Sequence, residues 1–561
     1  MISVSGINWE EITIDKRKVE KLRTEKDLSE LNSKIVLSRN FDKSEILSIE
    51  NDIGIFNPFL QKKDFLKSFE ILKKVVENKG NIFVLGDYDV DGCMSTSILI
   101  SFLKLLNSNI NYYIPNRIKD GYGANLDTIM KIVKSKIDLV IMLDCGSNSI
   151  KAVNYLNSLN IKSIIIDHHE IYKPYPKTNN LINPKKICDY NEYNYFCTTA
   201  LTYFFIDLYI KKTKSKINFD HYLVYVLLAT MCDIMPLRKI NRSIAIKVLK
   251  DFNINDCYVF KKIFELYKIK RSLSIEDFGF LIGPILNSAG RLNDPNVIVE
   301  LFTNENKKKK LKIIKDLIIL NEKRKKIEMN TINEINLNKF INQKNIIIEK
   351  NKNLNEGLIG IIASKLRELF NKPSIVMTRS SNIYKASARS TTNFNIGKYI
   401  KNAIDMKLLI NGGGHNLAAG FSIEENKIQE LQEYLQISFS NNSKNDTQKF
   451  ISKISFSAIN KKLVDNLNKL SPFGSENENP KFLLENVKVL KPKIIQNRFV
   501  SFFVKSHYSK LIPAISFNLM ESNLSKNLLN NKNELSLIVE IKENDWNNKK
   551  NIQLIVSDII V

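Results

Sequence analysis

The sequence predicts an α/β protein of several domains that closes on a small β-barrel. Three observations carry this. Strand-like and helix-like runs alternate over residues 81–190 and again over 340–440, the pattern of strands joined by covering helices. Five short apolar runs separated by polar turns occupy 482–556, and short strands so spaced suggest a barrel. At 561 residues the chain is too long for one core, so roughly three or four domains are expected.

Residues 1–80 read as mainly helical from apolar spacing in Ser44–Asp52 and Phe65–Val76, with a break at Asn57-Pro58. Strand-like runs follow at Ile82–Leu85, Ile110–Ile114, Leu139–Leu143 and Ile164–Ile166, with helical Leu126–Val133 and Ile150–Leu159 between them. This argues for a parallel sheet. Tyr222–Met231 is an apolar helix-like run that Pro236 terminates, leaving Asp233 exposed at its boundary. Residues 240–335 read as helical and include a long charged segment, Lys307–Asn336. Gly283 to Arg291 reads as a turn-rich interruption within them.

The second α/β unit contains a helix over Ile361–Leu369, a strand at Ser374–Met377 and a small-residue turn, Ser387-Ala388-Arg389-Ser390. A glycine run, Gly412-Gly413-Gly414-His415, suggests backbone N–H groups facing an anion. Residues 440–450 are polar and read as a linker. The barrel strands are Phe482–Val489, Phe499–Lys505, Ile512–Phe517, Leu535–Ile541 and Ile552–Val556. The OB-fold is a five-stranded barrel of this kind, and such barrels bind single strands with basic and aromatic residues. Arg498, Phe499, Phe502, Lys505 and Tyr508 would supply them, half of the set being core.

Composition excludes several classes. No apolar run approaches the roughly eighteen residues a membrane span requires. The first ten residues lack a basic start followed by an apolar stretch, so a cytoplasmic location is expected. The six cysteines form no CxxC pair and no zinc-finger spacing, so they read as reduced thiols. A net charge of +25 fits a polyanionic partner. The heavy use of Lys, Asn and Ile also fits adenine- and thymine-rich codons, and charge alone leaves both open.

The chemistry is concentrated at strand ends. Ile82–Leu85 runs into Gly86-Asp87-Tyr88-Asp89-Val90-Asp91-Gly92, and an apolar helix-like run begins near Ser95. Leu139–Leu143 runs into Asp144-Cys145-Gly146, and Ile164–Ile166 into Asp167-His168-His169. Strand ends of one parallel sheet line one crevice. Carboxylates crowded there repel one another unless a hard divalent cation lies between them.

These motifs, with Met231-Cys232-Asp233 and Gly412–Gly420, resemble the DHH phosphoesterase family. Phe56-Asn57-Pro58, Ile114-Pro115-Asn116-Arg117 with Gly121-Tyr122-Gly123, Leu286–Arg291, Glu356–Ile361 and Ser471–Gly474 resemble its RecJ exonucleases in particular. The resemblance implies an N-terminal helical region (1–80), a DHH catalytic domain (81–240), a helical connector (241–339), a DHHA1 domain (340–445) and an OB-fold (446–561). It implies two Mn²⁺ or Mg²⁺ ions, one on Asp87, Asp89 and Asp144, the other on Asp91, Asp144, His168 and Asp233. Asp167 would orient the histidine pair, and His169 would contact the scissile phosphate. Arg117, Asn287, Arg291, Ser387, Arg389, Gly413, Gly414 and His415 would hold the substrate. The implied activity is 5′-to-3′ exonuclease action on single-stranded DNA in repair and recombination. The alternative within the family is a phosphodiesterase for oligoribonucleotides or cyclic dinucleotides. A helicase and a single-strand-binding protein are the implied partners, with no membrane, and the chain is expected to be a monomer. Two departures stand out: Ser288 replaces a common alanine, and Thr198-Thr199 replaces a glycine-alanine step. Neither is expected to touch a ligand position.

Overall fold

The computed structural model of the chain describes all residues except 50–53, 122, 135, 342–344, 443–446, 496–498, 507–509, 518–522, 531–532 and 547–548. Arg498 and Tyr508, proposed as strand contacts, lie outside the described residues.

The first sheet has five parallel strands in the order Asn109–Tyr113, Asn81–Leu85, Leu139–Leu143, Lys162–Ile166, Asn180–Ile182. Chain direction across the sheet reverses between Asn81–Leu85 and its neighbour Leu139–Leu143, which makes their carboxyl ends the switch point where such sheets bind ligands. Leu139–Leu143 is buried at every position because helices cover both faces. Helices Val90–Leu105, Thr198–Thr213 and Leu223–Cys232 pack on one face, Leu126–Ile132 and Ile150–Ser158 on the other. The strand Asn180–Ile182 was not anticipated; three residues are too few to show a period. The core on the first face also takes in the helix Lys63–Glu77 and continues through the connecting helices to Leu317.

The connecting region corrects one expectation. Residues 283–291 are not a turn but the helix Gly283–Leu292, continuing from a π-helical turn at Phe278–Ile282. Pro284 sits in its first turn, where a missing N–H costs little. The long charged segment is the helix Lys307–Glu334, which buries Ile314, Leu317, Asn321 and Thr331.

The second sheet runs Asn411–Gly414, Ala418–Glu424, Ile383–Arg389, Ser374–Ser380, Ile347–Lys350. Two further expectations change here. Ser387 to Arg389 end a central strand rather than form a turn. The helix Ile359–Phe370 packs closely here, where a Cβ on Gly360 would stand 3.1 Å from Ser387 Oγ and 3.1 Å from the Arg389 guanidinium. Gly412 to Gly414 lie in an antiparallel hairpin, pairing with Phe421, Gly420 and Ala419. They form the edge strand of this sheet, so the run is extended backbone rather than a loop.

Five strands close the C-terminal barrel: Lys481–Ile495, Phe499–Lys505, Ile512–Ser516, Lys549–Ile560 and Leu535–Trp546, the last returning to the first. Phe502 points into the core, whereas Phe503 is exposed and Phe499 and Phe517 form a ring pair 5.8 Å apart on the surface. The N-terminal residues belong with this barrel. Asn8–Glu11 is a strand, not helix, and pairs in parallel with Thr447–Phe450 of the expected linker. Helices Lys16–Lys26 and Glu30–Ser38 share the barrel's core. Among the described residues, no helix is long and apolar enough to cross a membrane, and the six cysteines are free thiols.

Candidate metal centre

The strand Asn81–Leu85 delivers buried Asp87 to the switch point. The following helix begins at Val90, not near Ser95. Asp89 is its N-cap, accepting from Gly92 N–H at 3.0 Å, and this cap moves the start forward. Asp91, in the first turn, is buried below it. On the adjacent strand, Asp144 adopts a left-handed backbone (φ 61°) while its N–H donates to Ile166 O at 3.0 Å. A left-handed aspartate inside a rigid strand end is strained, and such strain concentrates at functional sites.

His168 lies at the centre. Its Nε2 is 3.3 Å from Asp144 Oδ1, 3.3 Å from Asp233 Oδ2 and 3.7 Å from Asp91 Oδ2. Asp233 caps the C-terminus of Leu223–Cys232 and is half-buried rather than exposed. Two groups could therefore each hold a cation: Asp87, Asp89 and Asp144, and Asp91, His168 and Asp233. A third grouping joins Asp144, His168 and His169.

The donor set fits a hard divalent ion. Asp87 Oδ1, Asp144 Oδ2 and both His168 ring nitrogens are buried without a hydrogen-bond partner among the described residues, an arrangement costly unless something else satisfies them. Burial, then repulsion from neighbouring aspartates, pushes the Asp144 carboxyl well above its ordinary range. Asp87, Asp91 and Asp233 are raised for the same two reasons. Burial and the His169 charge hold His168 well below the usual imidazole value, so it is neutral, the form that ligates.

A cation is thus expected to stabilise the fold, with a sign set by these shifts. A carboxyl whose folded pKa exceeds its unfolded value makes the metal-free protein lose stability as pH rises from the ordinary carboxylate value through the raised one. Bound Mn²⁺ removes that repulsion. Thermal unfolding should show a Tm gain on adding Mn²⁺ that is larger at about pH 8 than at about pH 6. An equal gain at both, or none, would contradict the assignment.

Asp167 lies against both histidines. Its Oδ1 accepts from the N–H groups of His168 (2.8 Å) and His169 (3.1 Å) and lies 2.8 Å from His169 Nδ1. Burial alone would lower the His169 pKa, but the Asp167 charge and hydrogen bond push it up to about 9. The same contacts hold Asp167 well below the carboxylate range despite its burial. His169 is therefore held in its cationic form, with Nδ1 against Asp167.

Cations line the facing wall. Arg291, on the helix Gly283–Leu292, donates to Gly357 O of the second domain at 3.3 Å. Its charged neighbours include Arg117, Arg324 and Arg389, and burial followed by their repulsion lowers its pKa to about 10. Arg117 lies 5.4 Å from the Tyr88 ring centre. Arg389 donates to Ser387 Oγ at 3.1 Å and Ala388 O at 2.9 Å. Guanidinium groups held together in this way call for an anion among them. Two backbone approaches fix this geometry: a Cβ on Gly290 would stand 2.2 Å from Tyr88 O, and one on Gly357 2.0 Å from Arg291 O.

The remaining sites are more dispersed. His415, at the tip of the glycine hairpin, brings its ring to 6.1 Å from that of His169, and its Nδ1 is 3.6 Å from Glu170. Gly413 and Gly414 lie on the edge strand of that hairpin, next to His415. Asn287 lines a cleft of about 730 Å³ with Arg291, Arg324, Phe280, Lys481 and Lys542, between the connecting helices and the barrel.

Sequence reasoning missed four groups. Asn183 donates to Ser147 Oγ (2.8 Å) and His169 O (2.9 Å), and Ser147 N–H donates to Asp167 at 3.1 Å. Asn183 follows the unrecognised strand Asn180–Ile182 and carried no motif. Thr198 and Thr199 were expected to avoid the ligands, yet both bind ligand carboxylates.

Comparison with known proteins agrees with this layout. Sequence models match in order for the DHH family, N-terminal domain (residues 81–230), the DHHA1 domain (343–441) and the RecJ OB domain (452–558). The chain belongs to the RecJ group of the DHH family. It is 27% identical over 580 aligned positions to the single-stranded-DNA-specific exonuclease RecJ of Bacillus subtilis, covering 99% of this chain and 71% of that one. With RecJ of Escherichia coli it shares 28% identity, covering 69% and 70% of the two chains. The fold matches Thermus thermophilus RecJ in complex with Mn²⁺, with a TM-score of 0.81 at 18% identity over 99% of this chain and 79% of that one. The two ligand triplets thus lie on a RecJ fold.

Proposed function

We propose that the chain is a Mn²⁺- or Mg²⁺-dependent exonuclease that degrades single-stranded DNA from the 5′ end to 5′-mononucleotides. One observation carries the reading. Two neighbouring ligand triplets at one sheet edge face a cluster of arginines from the connector and the second domain. A phosphodiester bridging these walls would meet metal on one side and guanidinium on the other.

Asp87, Asp89, Asp91, Asp144, His168 and Asp233 would hold two ions. When bound, such a pair stabilises the attacking and leaving oxygens of an in-line phosphoryl displacement. The chain's own groups do the rest. Protonated His169 donates to a non-bridging oxygen of the scissile phosphate, and the Asp167 charge at Nδ1 keeps the ring protonated. Arg117, Arg291 and Arg389 grip the phosphates of the strand end. The barrel face bearing Phe499, Phe503, Phe517 and Lys505 holds the strand farther out by stacking and charge. That barrel favours long strands over the short or cyclic nucleotides of the alternative reading. The limits we assign are 81–240 for the catalytic domain, 241–339 for the connector, 340–445 for the DHHA1 domain and 446–561 for the barrel, with 1–80 preceding them. A cytoplasmic monomer supplied with unwound DNA by a helicase, alongside a single-strand-binding protein, completes the proposal.

The test is a product assay on single strands labelled at either end, with Mn²⁺ and with or without a 5′ phosphate. Mononucleotides released from the 5′ end are expected, with longer strands degraded inward. Release from the 3′ end, or internal cuts, would refute the polarity.

A further inference from the structure

The helix Thr198–Thr213 begins without a side-chain cap of its own, since Cys197 supplies none. Its first two N–H groups instead point at Asp91. Thr198 N–H donates to Asp91 Oδ2 at 2.7 Å and Thr199 N–H to Asp91 Oδ1 at 2.8 Å. The Thr199 hydroxyl adds a bond to Oδ1 at 2.6 Å and lies 3.0 Å from the Asp91 carbonyl oxygen. Asp91 thus caps a helix from a distant segment, and three donors fix its carboxylate. The Thr198 hydroxyl does something different. It donates to Asp144 Oδ1 at 3.0 Å, leaving Asp144 Oδ2 buried and without a hydrogen bond. Both threonines are fully buried, so neither hydroxyl has water as an alternative.

We infer that Thr198 is a positioning residue of the metal centre: its hydroxyl sets the rotation of the Asp144 carboxylate, so that Oδ2 is presented between the two ligand triplets. Thr199 and the helix N-terminus do the same for Asp91. The inference rests on the metal-binding reading above. A hydroxyl is required at Thr198 because the backbone N–H there is already committed to Asp91. Outer partners of ligating side chains orient them, and losing one typically weakens metal affinity about 10- to 100-fold.

The experiment compares Mn²⁺ affinity, measured from free Mn²⁺ by electron paramagnetic resonance, across four variants of the full chain. Thr198→Val keeps the shape and removes the hydroxyl; it is expected to bind about 10- to 100-fold more weakly, with the metal-free Tm close to that of the parent. Thr198→Ser keeps the hydroxyl and should restore the affinity. Thr198→Ala, which removes bulk as well, should match the valine variant and serves if valine does not fold. Asp144→Ala should lose binding. Parent-like affinity in the valine or alanine variant, with binding lost in Asp144→Ala, overturns the role of Thr198 and leaves the metal centre standing. Parent-like affinity in Asp144→Ala overturns the metal centre itself.

Discussion

Asp144→Ala is expected to hydrolyse single-stranded DNA roughly a thousandfold more slowly or worse, while still binding the strand. Asp144 stands at the centre of the acid cluster. Its Oδ1 meets His168 Nε2 at 3.3 Å and Thr198 at 3.0 Å, and it joins ligand groups on both sides. Removing it would take a ligand from the Asp87 and Asp89 group and, by the shared ligation that the family resemblance implies, from the ion at His168 as well. The groups proposed to grip the strand, Arg291, Arg389 and the barrel face, lie apart from it, so affinity for DNA should change little. Stability should move the other way. In the metal-free protein the Asp144 carboxylate is buried, crowded by Asp91, Asp89 and Asp87, and carries an unpartnered oxygen. Deleting it removes repulsion and an unsatisfied acceptor, so the metal-free Tm should hold or rise. The Tm gain on adding Mn²⁺ should shrink. Hydrolysis at parental rate, checked by timed release of mononucleotides, would remove Asp144 from the reaction.

The strand ends were legible because each is short, apolar and closed by an acid or histidine. Leu139–Leu143 was placed to the residue, and Asp144 with it. The helix at Val90 was misplaced because its capping acid, Asp89, was read only as a metal ligand; it serves the helix as well. Glycine misled twice. In 283–291 it was taken for turn chemistry and in 412–414 for an anion-facing run, whereas both stretches are regular structure with another backbone packed close. Sequence spacing reports local conformation, not what lies across a tertiary contact. The threonine pair failed for the same reason: its partners are about a hundred residues away in Asp91 and more than fifty away in Asp144.

The barrel is tied to the metal centre through the segment after Asp233. Leu237 N–H donates to Ser475 O at 2.8 Å, and a Cβ on Gly474 would press within 2.9 Å of Leu237. Arg242 reaches Ser471 O at 2.8 Å, and Arg238 forms a paired contact with Glu45. The N-terminal helices share the barrel's core. Deleting 471–561 would therefore expose that core and release the anchor four residues beyond Asp233. The barrel's part in strand binding is better read from substitutions on its exposed face, such as Phe503, than from truncation.

Gly290→Ala should reduce activity about 100-fold in a protein that still folds. Two effects compete in stability. Alanine in a helix interior is favoured over glycine by about 1 kcal/mol. Against this, the new Cβ would stand 2.2 Å from Tyr88 O, a backbone atom that cannot rotate away. Overpacking of that kind costs roughly 1–3 kcal/mol, so a net loss of Tm is expected. The effect on rate should exceed the effect on stability. Tyr88 lies between Asp87 and Asp89, and Gly290 directly precedes Arg291, so one displacement would move the proposed metal ligands on one wall and the proposed phosphate-binding arginine on the other. Gly279→Ala supplies the control: it too is helical, and nothing lies within 4 Å of its would-be Cβ. That variant should be as active as the parent and no less stable. If Gly290→Ala cleaves single strands at the parental rate, the tight packing of the helix Gly283–Leu292 on the aspartate turn is not what aligns the two walls.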